Sequence, residues 1–178
     1  YNIEPKAAIM LVEFLGTDLS KINNELEKLK IILPQGHTIT AKDIEENIGI
    51  SKDYNIFELR KAIGKGEQLK TYQIIQYFAH NPKDNPFVLV VGQLFSYFTQ
   101  LLQYHGLKDK SKANVASVLR VNPFFVADYE MAAKRFPMKK VSSIISKLRE
   151  LDVKGKGVEA SSVSHHDLMK EMLVHIFN

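Results

Sequence analysis

FVLVVGQLFSYFTQLLQYH, residues 87–105, is the most apolar stretch of the 178-residue chain, and its periodicity decides the fold. Phe87, Val91, Leu94, Phe98, Leu101 and His105 recur at alternating spacings of four and three. Val88, Phe95 and Leu102 recur beside them, so two adjacent stripes of one helix are apolar. A membrane span needs about 20 predominantly apolar residues. Here 19 are available, and Gln93, Gln100 and Gln103 interrupt them. The reading is a central bundle helix buried on most of its circumference.

Helical patterns continue on both sides. Upstream, Asn81, Pro82, Asn85 and Pro86 punctuate a turn. A helix over 67–79 carries Leu69, Tyr72, Ile75, Tyr77 and Phe78, and a break at 64–66 separates it from a helix over 56–63. Downstream, a helix over 113–119 leads into Val121, Asn122 and Pro123. Pro123 opens another with Phe124, Phe125, Val126, Tyr129, Met131 and Ala132, which stops at Phe136 and Pro137. Val141, Ile144, Ile145, Leu148 and Leu151 mark the next, ending near Gly155 and Gly157. Ser164 with Asp167 three residues on resembles a capping box for a last helix.

The first 49 residues hold three shorter helices. Pro5 takes a first helical position and Gly16 a stop. Asp18 caps a second helix whose apolar positions are Leu19, Ile22, Leu26, Leu29 and Leu33. Thr40 and Asp43 form a capping box for a third, which runs out at Gly49. Residues 50–55 are a polar connector, and the domain boundary is placed there, giving units 1–50 and 51–178. The pattern holds no convincing strand and no internal repeat. The expected fold is all-α, a three-helix unit followed by a larger helical bundle.

Composition narrows the chemistry. There is no cysteine, which removes disulfides, thiolate catalysis and Cys-ligated metals. The net charge of +4 is uneven. Residues 1–90 carry 11 basic against 12 acidic side chains, and residues 91–178 carry 13 against 8. The chain opens at Tyr1 without an initiator methionine or a basic-then-apolar leader, so a piece of a longer protein is expected.

No catalytic constellation stands out. Gly64, Lys65 and Gly66 lack the spacing and the hydroxyl of a phosphate loop and read as a helix C-cap. Neither G-x-S-x-G nor H-E-x-x-H occurs. Asp167, Glu171 and His175, preceded by His165 and His166, share a helix face but find no second ligand-bearing helix, so a solvated face is the reading. No catalytic, cofactor or metal residue is assigned. Two basic clusters, Lys108, Lys110, Lys112 and Lys134, Arg135, Lys139, Lys140, fall in or beside turns. They read as exposed loop charge, with non-specific phosphate contact as the functional alternative.

Several ordered stretches carry a resemblance. They are LVEFLGTDL at 11–19, NELEKL at 24–29, ITAKDIE at 39–45 with Ile48 and Gly49, NIFEL at 55–59 with Ala62 and Ile63, and LRVNPF at 119–124. In order and spacing the chain resembles the C-terminal part of the delta-subunit family of bacterial DNA polymerase III, a component of the sliding-clamp loader. The resemblance implies an AAA+-like lid over 1–50 and a helical collar over 51–178. It also implies that clamp-opening contacts belong to an N-terminal domain absent from this sequence. ATP-binding lids of the wider AAA+ group often place an arginine after a Gly-Asp pair. Here Ser20 and Lys21 follow Leu19, and neither reproduces a guanidinium fork. This agrees with a subunit that does not hydrolyse ATP.

The expected role is therefore architectural, in a cytoplasmic complex without a cofactor or membrane contact. Phe87, Val91, Leu94, Phe98, Pro123 and Phe124 are the candidates for a surface that packs on sister subunits. Lys134, Arg135, Lys139 and Lys140 are the candidates for phosphate contact. The sliding clamp and DNA would be met through the full complex. A free-standing helical nucleic-acid-binding or regulatory domain is the alternative.

Overall fold

A computed structural model describes residues 1–16, 18–157 and 163–178. Thr17, part of the stretch at 11–19, lies outside the described residues. Chain contacts divide the protein into two compact units, Tyr1–Glu58 and Leu59–Asn178. Among the described residues both are built from helices, so the fold is all-α.

The N-terminal unit contains α1 (Pro5–Leu15), α2 (Leu19–Ile32) and α3 (Ala41–Ile48). Pro5 opens α1, and Gly16 follows it with φ of 74°. The Asp18 carboxylate accepts from the Ser20 and Lys21 amides and starts α2. Thr40 and Asp43 form the full reciprocal capping box of α3. Ala7, Met10, Leu11, Leu29, Ile39, Ile44 and Ile50 close the core. Two strands escaped the sequence pattern: β1 (Asn2–Ile3) pairs in parallel with β2 (Thr38–Ile39). At two residues each they are too short to show alternation.

The division between units falls inside α4 (Ile56–Lys65), beyond the connector at 50–55. The connector is tied to the N-terminal unit, because Ile50 is in its core and Lys52 reaches Glu45 at 3.1 Å. Asn55 Oδ1 then accepts from the Glu58 amide at 3.0 Å and begins α4.

The C-terminal unit adds α5 (Gln68–His80), α6 (Phe87–Gly106), α7 (Lys112–Leu119), a 3₁₀ turn at Pro123–Phe125, α8 (Val126–Arg135), α9 (Met138–Gly155) and α10 (His165–Phe177). Helix α6 is the hub, packed on α7, α8 and α9, and α10 covers α9 and α5. The predicted segments are all present, with one change: Pro123 opens a 3₁₀ turn and α8 follows three residues later. The stop after α4 is a Schellman motif. The Glu67 amide donates to the Ala62 carbonyl and the Gly66 amide to the Ile63 carbonyl, with Gly66 at φ 77°. Gly155 serves packing instead, since a Cβ there would run into the Phe87 ring.

Candidate partner-binding surface

Helix α6 has two unlike faces. Phe87, Val90, Val91, Leu94, Tyr97, Phe98, Leu101 and Tyr104 are buried, eight of its 20 residues. Another five are half-buried and seven are exposed, so burial takes in most of the circumference, as expected, and one strip faces out. Helices α7, α8 and α9 occupy the inner side, and the second apolar stripe is only partly covered, with Leu102 half-buried, Val88 37% exposed and Phe95 36% exposed. Val88, Leu89 and Phe95 are exposed, Leu89 at 60%. Gly92, Ser96 and Gln103 complete that outer face. No Asp, Glu, Lys or Arg occurs anywhere in α6.

This placement revises the candidate interface residues. Phe87, Val91, Leu94 and Phe98 are each at most 2% exposed and supply the core rather than a surface. Phe98 meets the Phe136 ring edge-on at 5.6 Å, and Phe87 stacks on the His165 ring at 4.9 Å. Pro123 and Phe124 behave otherwise: both are exposed, Phe124 at 63%.

The corner that holds Phe124 out is built from local bonds. Helix α7 ends at Arg120 in the left-handed region, φ 55°, and the Val121 amide turns back to the Ala116 carbonyl at 3.1 Å. Asn122 Oδ1 accepts from the Phe124 amide at 2.9 Å and caps the 3₁₀ turn. Pro123 presets the backbone, Phe125 goes inward, and its neighbour Phe124 is left outside. Gln100 of α6 fixes the corner from below. Its Nε2 donates to the Leu119 carbonyl at 3.0 Å, while its Oε1 accepts from the Tyr129 hydroxyl at 2.6 Å. Tyr129 in turn lies against Tyr97, whose hydroxyl burial pushes above the ordinary tyrosine range. In the sequence pattern Gln100 is only an interruption of the apolar run. A glutamine at the edge of an apolar stripe is the one signal that could have revealed this brace, because a half-buried amide must find partners.

The candidate phosphate contacts are dispersed in role. Lys134 pairs with Glu130 at 2.9 Å, which raises the lysine and lowers the carboxyl from their ordinary values. Arg135 stacks over the Phe136 and Phe177 rings, 5.7 Å from each centroid. Lys140 donates to the His175 carbonyl, and Lys139 is exposed.

The acidic and histidine face of α10 is spoken for by structure. Asp167 takes part in the cap made by Ser164, Glu171 pairs with Lys147, and His175 Nε2 meets Ser143 Oγ at 3.0 Å. Among the described residues no group of three or more His, Cys, Asp or Glu side chains is placed to hold a metal ion. No described helix is long and apolar enough to cross a membrane.

Comparison with known proteins shows the family. Residues 53–174 match the family described as DNA polymerase III delta subunit, C-terminal domain. DNA polymerase III subunit delta of Bacillus subtilis (strain 168) is 28% identical over 157 residues, covering 87% of this chain and 45% of the relative. The solved structure of the Bacillus subtilis DNA clamp loader delta protein superposes with a TM-score of 0.67 at 24% identity. That match covers 98% of this chain and 51% of the other, so the chain spans about half the length of the relatives it matches. An all-helical bundle organised on α6, a Leu119–Phe124 corner and a family match over more than half its length lead to one assignment: the chain belongs to the DNA polymerase III delta subunit family, whose C-terminal domain it contains.

Proposed function

We propose that the C-terminal unit is a clamp-loader collar, which holds this subunit against sister subunits while the sliding clamp is loaded on DNA. The observation that carries the reading is the outer face of α6. It is solvent-facing along a 20-residue helix yet bears no charged side chain. A helix face left to water is normally polar, and an uncharged apolar one marks a contact surface. Val88, Leu89 and Phe95 would form its centre, with Phe124 as a projecting aromatic anchor of the kind that dominates interface energetics.

In the same reading the N-terminal unit is the lid, and the role of the chain is architectural, in the cytoplasm, without a catalytic group of its own. Ser20 and Lys21 stand where an ATP-sensing arginine would be needed. Family membership does not favour a free-standing regulatory domain.

Co-purification with clamp-loader partner subunits tests the proposal. The chain should join them, and the pair Leu89→Asp and Phe124→Ala should abolish joining while leaving the helical signal intact. A folded wild-type chain that fails to join its partners would refute the collar reading.

A further inference from the structure

Residues 91–178 carry thirteen Lys and Arg against eight Asp and Glu, and most of that excess falls in two segments. Seven of the thirteen cations lie in segments 104–112 and 130–140, with only two of the carboxylates, Asp109 and Glu130. The rest of this half is balanced, six against six.

One contact joins the two segments, and a second orders the first of them. His105 Nε2 lies 2.8 Å from the Phe136 carbonyl oxygen, joining the end of α6 to the turn between α8 and α9. The Lys110 ammonium sits 5.0 Å from the centroid of the Tyr104 ring. The end of α6, just before the first cluster, is therefore fixed to the turn inside the second, more than twenty residues away in sequence.

The placement of the lysines works against the isolated protein. Lys112 begins α7, and Lys139 and Lys140 lie in the first turn of α9. Neither helix has an acidic residue in its first turn or a side-chain cap. Cations at a helix N-terminus oppose the macrodipole, whereas an anion there is attracted by both the amides and the lysines. Lys108, Lys112 and Lys139 are exposed and have no ion pair among the described residues. The surface is open, and its cations are mostly lysines, which attract phosphate as point charges without bidentate base readout.

We propose that the 108–112 and 134–140 clusters form a single composite site for the phosphate backbone of nucleic acid, without sequence preference. The choice of nucleic acid over an acidic protein segment rests on the clamp-loader reading above.

The test is fluorescence anisotropy of the 178-residue chain with a labelled mixed-sequence DNA duplex, between about 50 and 200 mM salt. Binding should weaken with log–log slope of about −3 or steeper, equally for unrelated sequences. Lys108→Ala with Lys112→Ala, and separately Lys139→Ala, should each weaken binding several-fold and flatten the slope by about one per lysine. Lys170→Ala on α10 should change nothing, and circular dichroism should show every variant folded. Absence of salt-dependent binding overturns the proposal. So does an effect confined to one cluster, which would mean two separate surfaces, and so does polyglutamate competing as well as DNA. A chain that joins partner subunits but does not bind DNA overturns this inference alone. A chain that binds DNA but joins no partner overturns the collar reading instead.

Discussion

Among the described residues the N-terminal unit buries seven apolar side chains and the C-terminal unit thirty-one. The two are stabilised differently as a result. Each fully buried aliphatic or aromatic side chain contributes about 1.5–3 kcal/mol, so the larger unit can form helices with little help at their ends. Helices α5, α6, α7, α8 and α9 all lack a side-chain cap. The small unit relies more on local hydrogen bonds. Asp18 and Thr40 cap α2 and α3, and Asp43 Oδ2 accepts from the Thr40 amide, the Thr40 hydroxyl and His37 Nε2, the last at 2.9 Å. A unit of this size has too little interior for burial alone to offset chain entropy.

Four substitutions probe that contrast, beginning with the largest expected loss. Phe98→Ala removes a fully buried ring from α6 and should cost about 3–5 kcal/mol in urea denaturation. A cost under about 1 kcal/mol would mean that the C-terminal unit is not held by its core. Gly155→Ala places a methyl group against the Phe87 ring and should cost about 1–3 kcal/mol, because Phe87 is buried and stacked on His165. If thermal denaturation shows the variant unchanged or stabilised, that close approach is not a constraint.

Asp43→Asn should cost about 1 kcal/mol at neutral pH by weakening the α3 cap. Its hydrogen bonds from His37 and Thr40 hold the Asp43 carboxyl down at about 2, below its ordinary 3.8. A carboxyl depressed by folding contributes stability above its unfolded value and loses it as pH falls. The wild type should thus lose more stability than the variant between about pH 4 and pH 2. Parallel pH profiles in chemical denaturation would remove the cap from the comparison. Phe124→Ala should have the smallest effect, within about 0.5 kcal/mol, since the ring is mostly in water. A large thermal shift would show that the ring supports the corner rather than projecting from it.

Legibility followed the range of the interaction. Pro5, Asp18, Thr40 with Asp43, Gly66 and Ser164 were readable because capping and stop signals act within a few residues of chain. The strand pair was not, because Asn2 finds Thr38 across two helices and leaves no local pattern. Two of the six surface candidates are exposed. Pro123 and Phe124 stood out as a motif, and both are exposed. Phe87, Val91, Leu94 and Phe98 were misassigned because periodicity identifies an apolar stripe without saying which neighbour covers it.

The sequence by itself determined an all-helical chain, nearly every helix start and stop, and the resemblance that pointed to the delta-subunit family. These rest on backbone geometry and hydrogen bonds that close within a turn or two. Only the tertiary structure decided which stripe of α6 is core and which is surface, and that the corner at Phe124 is braced by Gln100. It alone fixed the end of α6, just before Lys108, to the turn between Lys134 and Lys139. A contact such as His105 with the Phe136 carbonyl depends on how α6, α8 and α9 pack, and no local spacing encodes it.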